Sequence, residues 1–455
     1  MLMKGVDMRA KYLLRAGCLF AAIGCASVQA GGNRDLGRET LHPDDGWAAS
    51  GAGVTGGATA APEQIYVVTS RSELIAALNN GVVSSTSPST PSNEPKIIYV
   101  KGVIDANVDD DNNPLTCTDY YRNGYTIEDF LATYDPAVWG RVAPTGPLEA
   151  ARAASASAQQ ARVRIRPGSN TTIVGVGNKA TIRGVWIDIR GTSNVANSRS
   201  NIIIRNLTFQ DTYDCFPRWA PTDGALGSWN AAYDSISLRE ANNVWIDHNT
   251  FEDRTTLDSK APQYFGVLFQ QHDGLLDITN ASDLVTVSWN RFRNHDKLML
   301  IGSSDSAAAD RGKLRVTLHH NQFTGIGQRA PRVRFGQVHL YNNYYDLRNT
   351  PRYQYSWGVG IESAIYAEEN FFLADRSFTP DRIIARFNGT ALSASGTLLV
   401  GPRVRNPVDV ISAWNAVNDP DLAHDAGWIP VLNHQLLPAW TTPILVPLFA
   451  GPMPW

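Results

Sequence analysis

The chain has 455 residues, 43% of them hydrophobic and 18% charged, with 40 Lys and Arg against 43 Asp and Glu and a net charge of −3. That composition belongs to a globular protein with a large core, and it excludes an acidic tail or a nucleic-acid partner recruited by whole-chain charge. Any anion binding has to be local.

Residues 1–30 combine Lys4, Arg9, Lys11 and Arg15 with a short apolar run ending in the small residue Ala30, the layout of a secretory signal peptide. A weaker alternative is lipid attachment at Cys25. Cleavage after Ala30 removes those four basic residues and Asp7, taking the net charge from −3 to −6. No later stretch offers about 20 consecutive apolar residues, so the expectation is a secreted, extracellular protein with no membrane span. Two cysteines then remain, Cys117 and Cys215, and in an oxidising compartment they are expected to pair. No Cys-x-x-Cys, His-x-x-x-His or Gly-x-x-x-x-Gly-Lys pattern points to zinc or a nucleotide.

Residues 31–62, rich in Gly and Ala, read as an N-terminal tether or loosely ordered arm, with regular structure starting near Ile65. A loop rich in Ser, Thr and Pro at 84–95 precedes a strand at 96–101. Residues 147–162 are the best helix candidate in a chain that otherwise reads as strand and turn.

One pattern organises residues 63–375: a short apolar β segment, then Asn, one variable residue and an aromatic. It occurs as Trp245-Ile246-Asp247-His248-Asn249-Thr250-Phe251, then as Asn290-Arg291-Phe292, Asn321-Gln322-Phe323, Asn343-Tyr344-Tyr345 and Asn370-Phe371-Phe372, with a looser copy at Asn206 to Phe209. The five tighter copies lie 41, 31, 22 and 27 residues apart. Such intervals suit an all-β solenoid, a parallel β-helix in which one coil takes twenty-odd residues and longer gaps are loops thrown out from one face to form a cleft. Asn tolerates left-handed backbone at a corner, and stacked Asn amides can bond one another along the axis. A β-sandwich with strands that happen to end in Asn is the alternative. Residues 376–455 lose the pattern and read as a wrapping and capping segment.

Two clusters could carry chemistry. Asp234, Asp273 and Asp277 repel one another unless a hard cation such as calcium compensates them, although solvated surface acids would give the same spacing. Between Arg311 and Arg352 stand Arg311, Lys313, Arg315, Arg329, Arg332, Arg334, Arg348 and Arg352 against Asp346 alone. That is either an anion site suited to carboxylate or a salt-bridged solenoid face. On a strand, Arg332 and Arg334 share a side.

Five strings in order, Trp219-Ala220-Pro221-Thr222-Asp223-Gly224, Val244-Trp245-Ile246-Asp247-His248, Gln271-His272-Asp273-Gly274-Leu275-Leu276-Asp277-Ile278, His295-Asp296-Lys297 and Arg329-Ala330-Pro331-Arg332-Val333-Arg334-Phe335-Gly336, resemble polysaccharide lyase family 1, the pectate lyases. The resemblance covers roughly residues 65–375. It implies a right-handed parallel β-helix that cleaves α-1,4-polygalacturonate by β-elimination with Ca²⁺ as cofactor. By motif, Asp234, Asp273 and Asp277 match the metal ligands, Arg329 the general base, and Lys297 and Arg334 the residues holding the substrate carboxylate. His248, His272 and His295 read as positioning residues and Trp245 as core. Ala220 and Ala232 stand where the family often has acids, which implies weaker calcium binding before substrate arrives. An arginine base must shed a proton first, which implies an alkaline optimum. Alternatives are a pectin lyase acting on methyl-esterified polymer, a polygalacturonase-type hydrolase, and a non-enzymatic β-helix that binds glycans. A monomer is the expectation for a capped solenoid.

Overall fold

In the computed structural model, residues 35–81, 91–191, 199–375, 377–401 and 405–454 are described. The expected leader at 1–30 and most of the expected loop at 84–95 lie outside them. The chain divides into two units, Met1–Leu36 and Gly37–Trp455.

The second unit winds as a parallel β-helix, each coil passing in turn through three stacked sheets. Sheet I has ten strands, from Ile65–Val68 to Leu392–Ser395; sheet II has ten, from Val103–Asp105 to Arg405–Pro407; sheet III has eight, from Arg164–Ile165 to Ile384–Phe387. Register lines up like with like. Ile98, Ile173, Ile204, Ile246, Val287, Leu318 and Leu340 form one buried column on sheet I. Ile189, Leu238, Ile278, Ile301, Val333 and Val359 form another on sheet III. No coil can bury its apolar side alone, so each depends on its neighbours.

The Asn-x-aromatic pattern lies at the corner between sheets I and II. Asn249, Asn290, Asn321, Asn343 and Asn370 are buried in a ladder, each Oδ1 from Asn290 onward accepting from the backbone N–H and side-chain amide of the Asn one coil earlier at 2.8–3.1 Å. The left-handed residue is not the ladder Asn, as expected from sequence, but the one before it: His248, Trp289, His320, Asn342 and Glu369 have φ of 48–53°. The ladder Asn is needed for its amide, and its backbone is unexceptional. Two residues on, Phe209, Phe251, Phe292, Phe323, Tyr345 and Phe372 stack with centroids 4.3–5.4 Å apart. Asn290→Ala leaves several buried polar groups unpaired at once. It is expected to lower unfolding free energy by about 3 kcal/mol in a denaturant titration, whereas the neighbouring exposed positions stay near zero.

Three expectations need correction. Residues 37–62 are no loose tether but a strap on the outer face of sheet I. Trp47 and Ala48 donate their N–H groups to Thr317 and Thr286 at 3.0 Å, and Leu41, Ala48, Ala49 and Val54 pack on Ile203 and Trp245. A Cβ on Gly57 would fall 1.9 Å from the Lys96 carbonyl, so small residues there reflect close approach, not disorder. The coil also continues beyond residue 375, through Ile384–Phe387, Leu392–Ser395 and Leu398–Val400. Lastly, helices beyond the expected one are present. Pro147–Val163 is joined by Arg71–Leu78, which is capped by a box of Ser70 and Glu73 and covers the first coil with Leu74, Ala77 and Leu78.

At the other end Val410–Asn415 buries Val410, Ile411 and Trp414 against the last coil. The remaining tail runs back along the ladder corner, bonding Asn342, Trp289 and Asn206 through Leu437, Gly451 and Met453. A helical excursion before sheet III has its own aromatic cluster around Phe130, Phe216, Trp219 and Trp229, and the expected Cys117–Cys215 disulfide closes it. Among the described residues no helix is long and apolar enough to cross a membrane.

Candidate active site

Alternation along sheet III sends Ile187 and Ile189 inward and leaves Asp188 and Arg190 on the outer side. The register then stacks Asp188, Ser237 and Asp277 in one outer column and Arg190, Arg239 and Thr279 in the next. Asp234 sits just before the strand Ile236–Arg239 and Asp273 just before Leu276–Thr279, in the turn that closes a long loop. All three predicted acids line one cavity of about 490 Å³.

Within it Asp234 Oδ1 accepts from the Gly274 N–H at 2.8 Å, and its other oxygen accepts from the Ser237 hydroxyl. Asp277 Oδ1 accepts from Leu300 N–H at 2.9 Å. Gly274 is required by space: a Cβ there would lie 2.6 Å from Asp277 Oδ1 and 2.9 Å from Asp234 Oδ1. Burial, then the charge of Asp273, push the Asp234 carboxyl up to about 7. Burial, then Asp234 and Asp273, push Asp277 well above the ordinary range. Both groups favour a proton until a cation replaces it.

A second cluster was missed by sequence reasoning, because its members meet only across coils. Ligand atoms of Asp253, His272 and His295 all lie within 4.8 Å of one another. They do not have the character of a metal centre. His272 Nδ1 and Nε2 donate to the carbonyls of Thr212 and Thr256 at 2.8 and 2.5 Å; His295 Nδ1 donates to Asp253 and Nε2 to the Asp273 carbonyl at 2.7 and 2.8 Å. Each ring nitrogen is already turned to an oxygen of the protein, which leaves none aimed at a shared point where an ion would sit. For His295 burial works against the charged ring, but Asp253 outweighs it and holds the pKa at about 9. Asp253 thus ties His295 to the backbone of Asp273, while His248 lies elsewhere, bonded to Asp247 at the ladder corner.

The basic region separates into two parts. Arg311 pairs with Glu362, Lys313 and Arg315 with Asp283, and Arg348 with Asp346, so for these four the salt-bridged face is the correct reading. Arg329, Arg332 and Arg334 stay together, near enough for their charges to act on one another, with buried Val333 turning inward between the last two. Lys297 ends the strand Arg291–Lys297 and pairs in register with Gln328, which puts it one coil from Arg329. Arg329 has φ 61°, and its buried Nε has no acceptor among the described residues. Its charge reaches Asp277, where it opposes the upward shift. Arg332 lies 3.8 Å over the Phe387 ring. Arg334 donates through Nε to Asp305 at 2.6 Å and through Nη1 to the Gly302 carbonyl at 2.9 Å. Trp245 is buried under the strap, with Arg205 4.6 Å above its ring.

Comparison with known proteins decides the family. A pectate lyase family model matches residues 141–413. The chain belongs to the pectate lyases. Among curated pectate lyases, one from Bacillus subtilis is 42% identical over 94% of this chain and 95% of its own, and pectate lyase E of Dickeya dadantii is 36% identical over 82% and 80%. A solved thermostable pectate lyase superposes with a TM-score of 0.87 at 45% identity, covering 93% of this chain and 100% of its own. A pectate lyase bound to a hexasaccharide gives a TM-score of 0.83 at 41% identity, covering 92% and 99%. This pectate lyase is therefore a polysaccharide lyase.

Proposed function

We propose that the protein is a secreted, calcium-dependent pectate lyase that cleaves α-1,4-polygalacturonate by β-elimination and releases 4,5-unsaturated oligogalacturonides. The observation that carries this reading is the shared cavity, in which Asp234, Asp273 and Asp277 gather, with the charge of Arg329 reaching Asp277 from the turn before the strand Arg332–Val333. Export is supported by the disulfide and by the leader-like first thirty residues.

The donor set fits calcium. Asp234 and Asp277 present hard anionic oxygens, and their raised affinity for protons marks charge that a divalent ion would compensate. Bound calcium supplies the positive charge that brings a uronate carboxylate beside these acids and acidifies the adjoining C5–H bond.

This chain's residues do the rest. Lys297 and Arg334 hold the uronate carboxylate, Arg334 with Nη2 still to offer since Nε and Nη1 are engaged. Arg329, deprotonated, takes the proton from C5; the C5–H electron pair becomes the C4–C5 double bond, and the C4–O electrons leave with the glycosidic oxygen, which is protonated by water. Asp253, through His295, holds the Asp273 backbone in place.

Incubation with polygalacturonate and calcium is expected to produce the ultraviolet absorbance of an unsaturated uronide, and a chelator is expected to abolish it. Reducing sugar released without that absorbance would indicate hydrolysis. Turnover that survives the chelator, or is faster on fully methyl-esterified polymer, would replace the calcium reading with that of a pectin lyase.

A further inference from the structure

The cavity extends past the acids. Its lining continues to Arg190 and Arg239, on the coils towards the N-terminal end of sheet III, where the elimination has no use for them. Both arginines converge on Asp188, which is fully buried on the same outer column as Asp277. Arg166 Nε lies 3.2 Å, Arg190 Nε 3.5 Å and Arg239 Nη1 4.0 Å from its carboxylate. Arg164 joins them, and it and Arg239 flank the Trp186 ring at 5.8 and 5.2 Å. The acids nearest this group are Asp188 and Glu240, and Arg239 also reaches Asp234, so four guanidinium groups face three carboxylates. Arg166, Arg190 and Arg239 keep 27–41% of their side-chain surface exposed, enough to meet a ligand.

Resting on the lyase reading, we infer that Arg166, Arg190 and Arg239, organised by Asp188, form a platform that starts at the N-terminal end of the cavity and binds carboxylates of a uronide chain on the coils beyond the acids. Four inter-strand steps separate the coil of Arg190 from that of Arg332, about 19 Å at the usual spacing. A 1,4-linked pyranose spans roughly one such step, so a long polymer lying along sheet III reaches both ends, while a trimer seated at Arg329 does not. Guanidinium is suited to the task because it remains charged and offers paired donors to each carboxylate. The buried Asp188 fixes the direction of the side chains without filling their outer donors.

The test compares the full chain with the Arg166→Gln/Arg190→Gln variant in saturating calcium. KM for polygalacturonate is expected to rise about tenfold, the size of one lost charged contact, while kcat stays level and kcat/KM on trigalacturonate changes less than twofold. Lysine at both positions is expected to restore most of the polymer affinity. A separate binding arm uses affinity electrophoresis in polygalacturonate gels, in an Arg329→Ala background with chelator absent and turnover about a thousandfold slower. The same weakening should appear there whether or not the parent is a lyase, so absence of unsaturated product from the parent would overturn only the lyase reading. Equal losses on trimer and polymer, or unchanged polymer affinity, would overturn the platform. Should the double variant unfold because Asp188 is left unpaired, Asp188→Asn/Arg190→Gln removes that burden and must show the same polymer-selective loss.

Discussion

Replacing Arg329 by alanine lowers kcat on polygalacturonate by about a thousandfold, while calcium affinity and the thermal midpoint stay close to those of the parent. The size is that of removing a general base positioned at the reacting proton. The separation of effects comes from its surroundings: the side chain adds little to the core, its Nε lacks an acceptor among the described residues, and the column Ile301–Val333–Val359 that holds its coil is untouched. Arg329→Lys is the sharper test, because it keeps the positive charge but changes the reach and geometry of the group. Near-normal turnover by that variant would remove Arg329 from the role of base. The parent rate should climb with pH above neutrality, since a guanidine must lose a proton before it can accept one; a rate falling steadily above about pH 7 is the contrary result.

The second large effect concerns the acids. Asp234, with its carboxyl raised to about 7, and Asp277, raised by burial and by its neighbours, hold protons that calcium has to displace. Calorimetric titration is therefore expected to find calcium binding tightening by about tenfold or more per unit between about pH 5 and 7, with proton release, and levelling off above that window. Stability runs the other way in chelator. A carboxyl whose folded pKa exceeds its ordinary 3.8 binds more protons folded than unfolded between those values, so the metal-free protein loses stability as pH rises from about 4 to 7. Calcium reverses that loss. The Asp234→Asn/Asp277→Asn variant should show neither trend and no turnover. Equal pH slopes for variant and parent in chelator would mean that these two carboxyls do not titrate as the cavity requires.

The solenoid was legible because its signals are local. Asn, a spacer and an aromatic recur in a single stretch of chain, and each copy lies where one coil turns from sheet I to sheet II. The acids and arginines were legible only through whole motifs; by spacing alone Asp273 and Asp277 could have been surface residues, and Arg315 looked no different from Arg334. What separated them was place, since both pair with an aspartate: Arg315 enters sheet I beside Asp283, whereas Arg334 leaves sheet III, the sheet that carries the acids. Asp253 and Asp188 escaped notice for the same reason, since an isolated aspartate gives no hint that two histidines or three arginines will converge on it. The strap was misread because Gly and Ala also occur where backbone must lie flat on another surface, and composition does not distinguish that from looseness.

The returning tail alters how such a coil can come apart. A stack in which every turn touches only its neighbours would ordinarily fray from an exposed end, one turn at a time. Here the last residues before the C-terminus grip Asn206, near the opposite end from the capping helix Val410–Asn415, having passed Trp289 and Asn342 on the way. The final coils cannot peel off while that brace holds, so the barrier to unravelling is spread along most of the column, and heat should melt the described body in a single cooperative step.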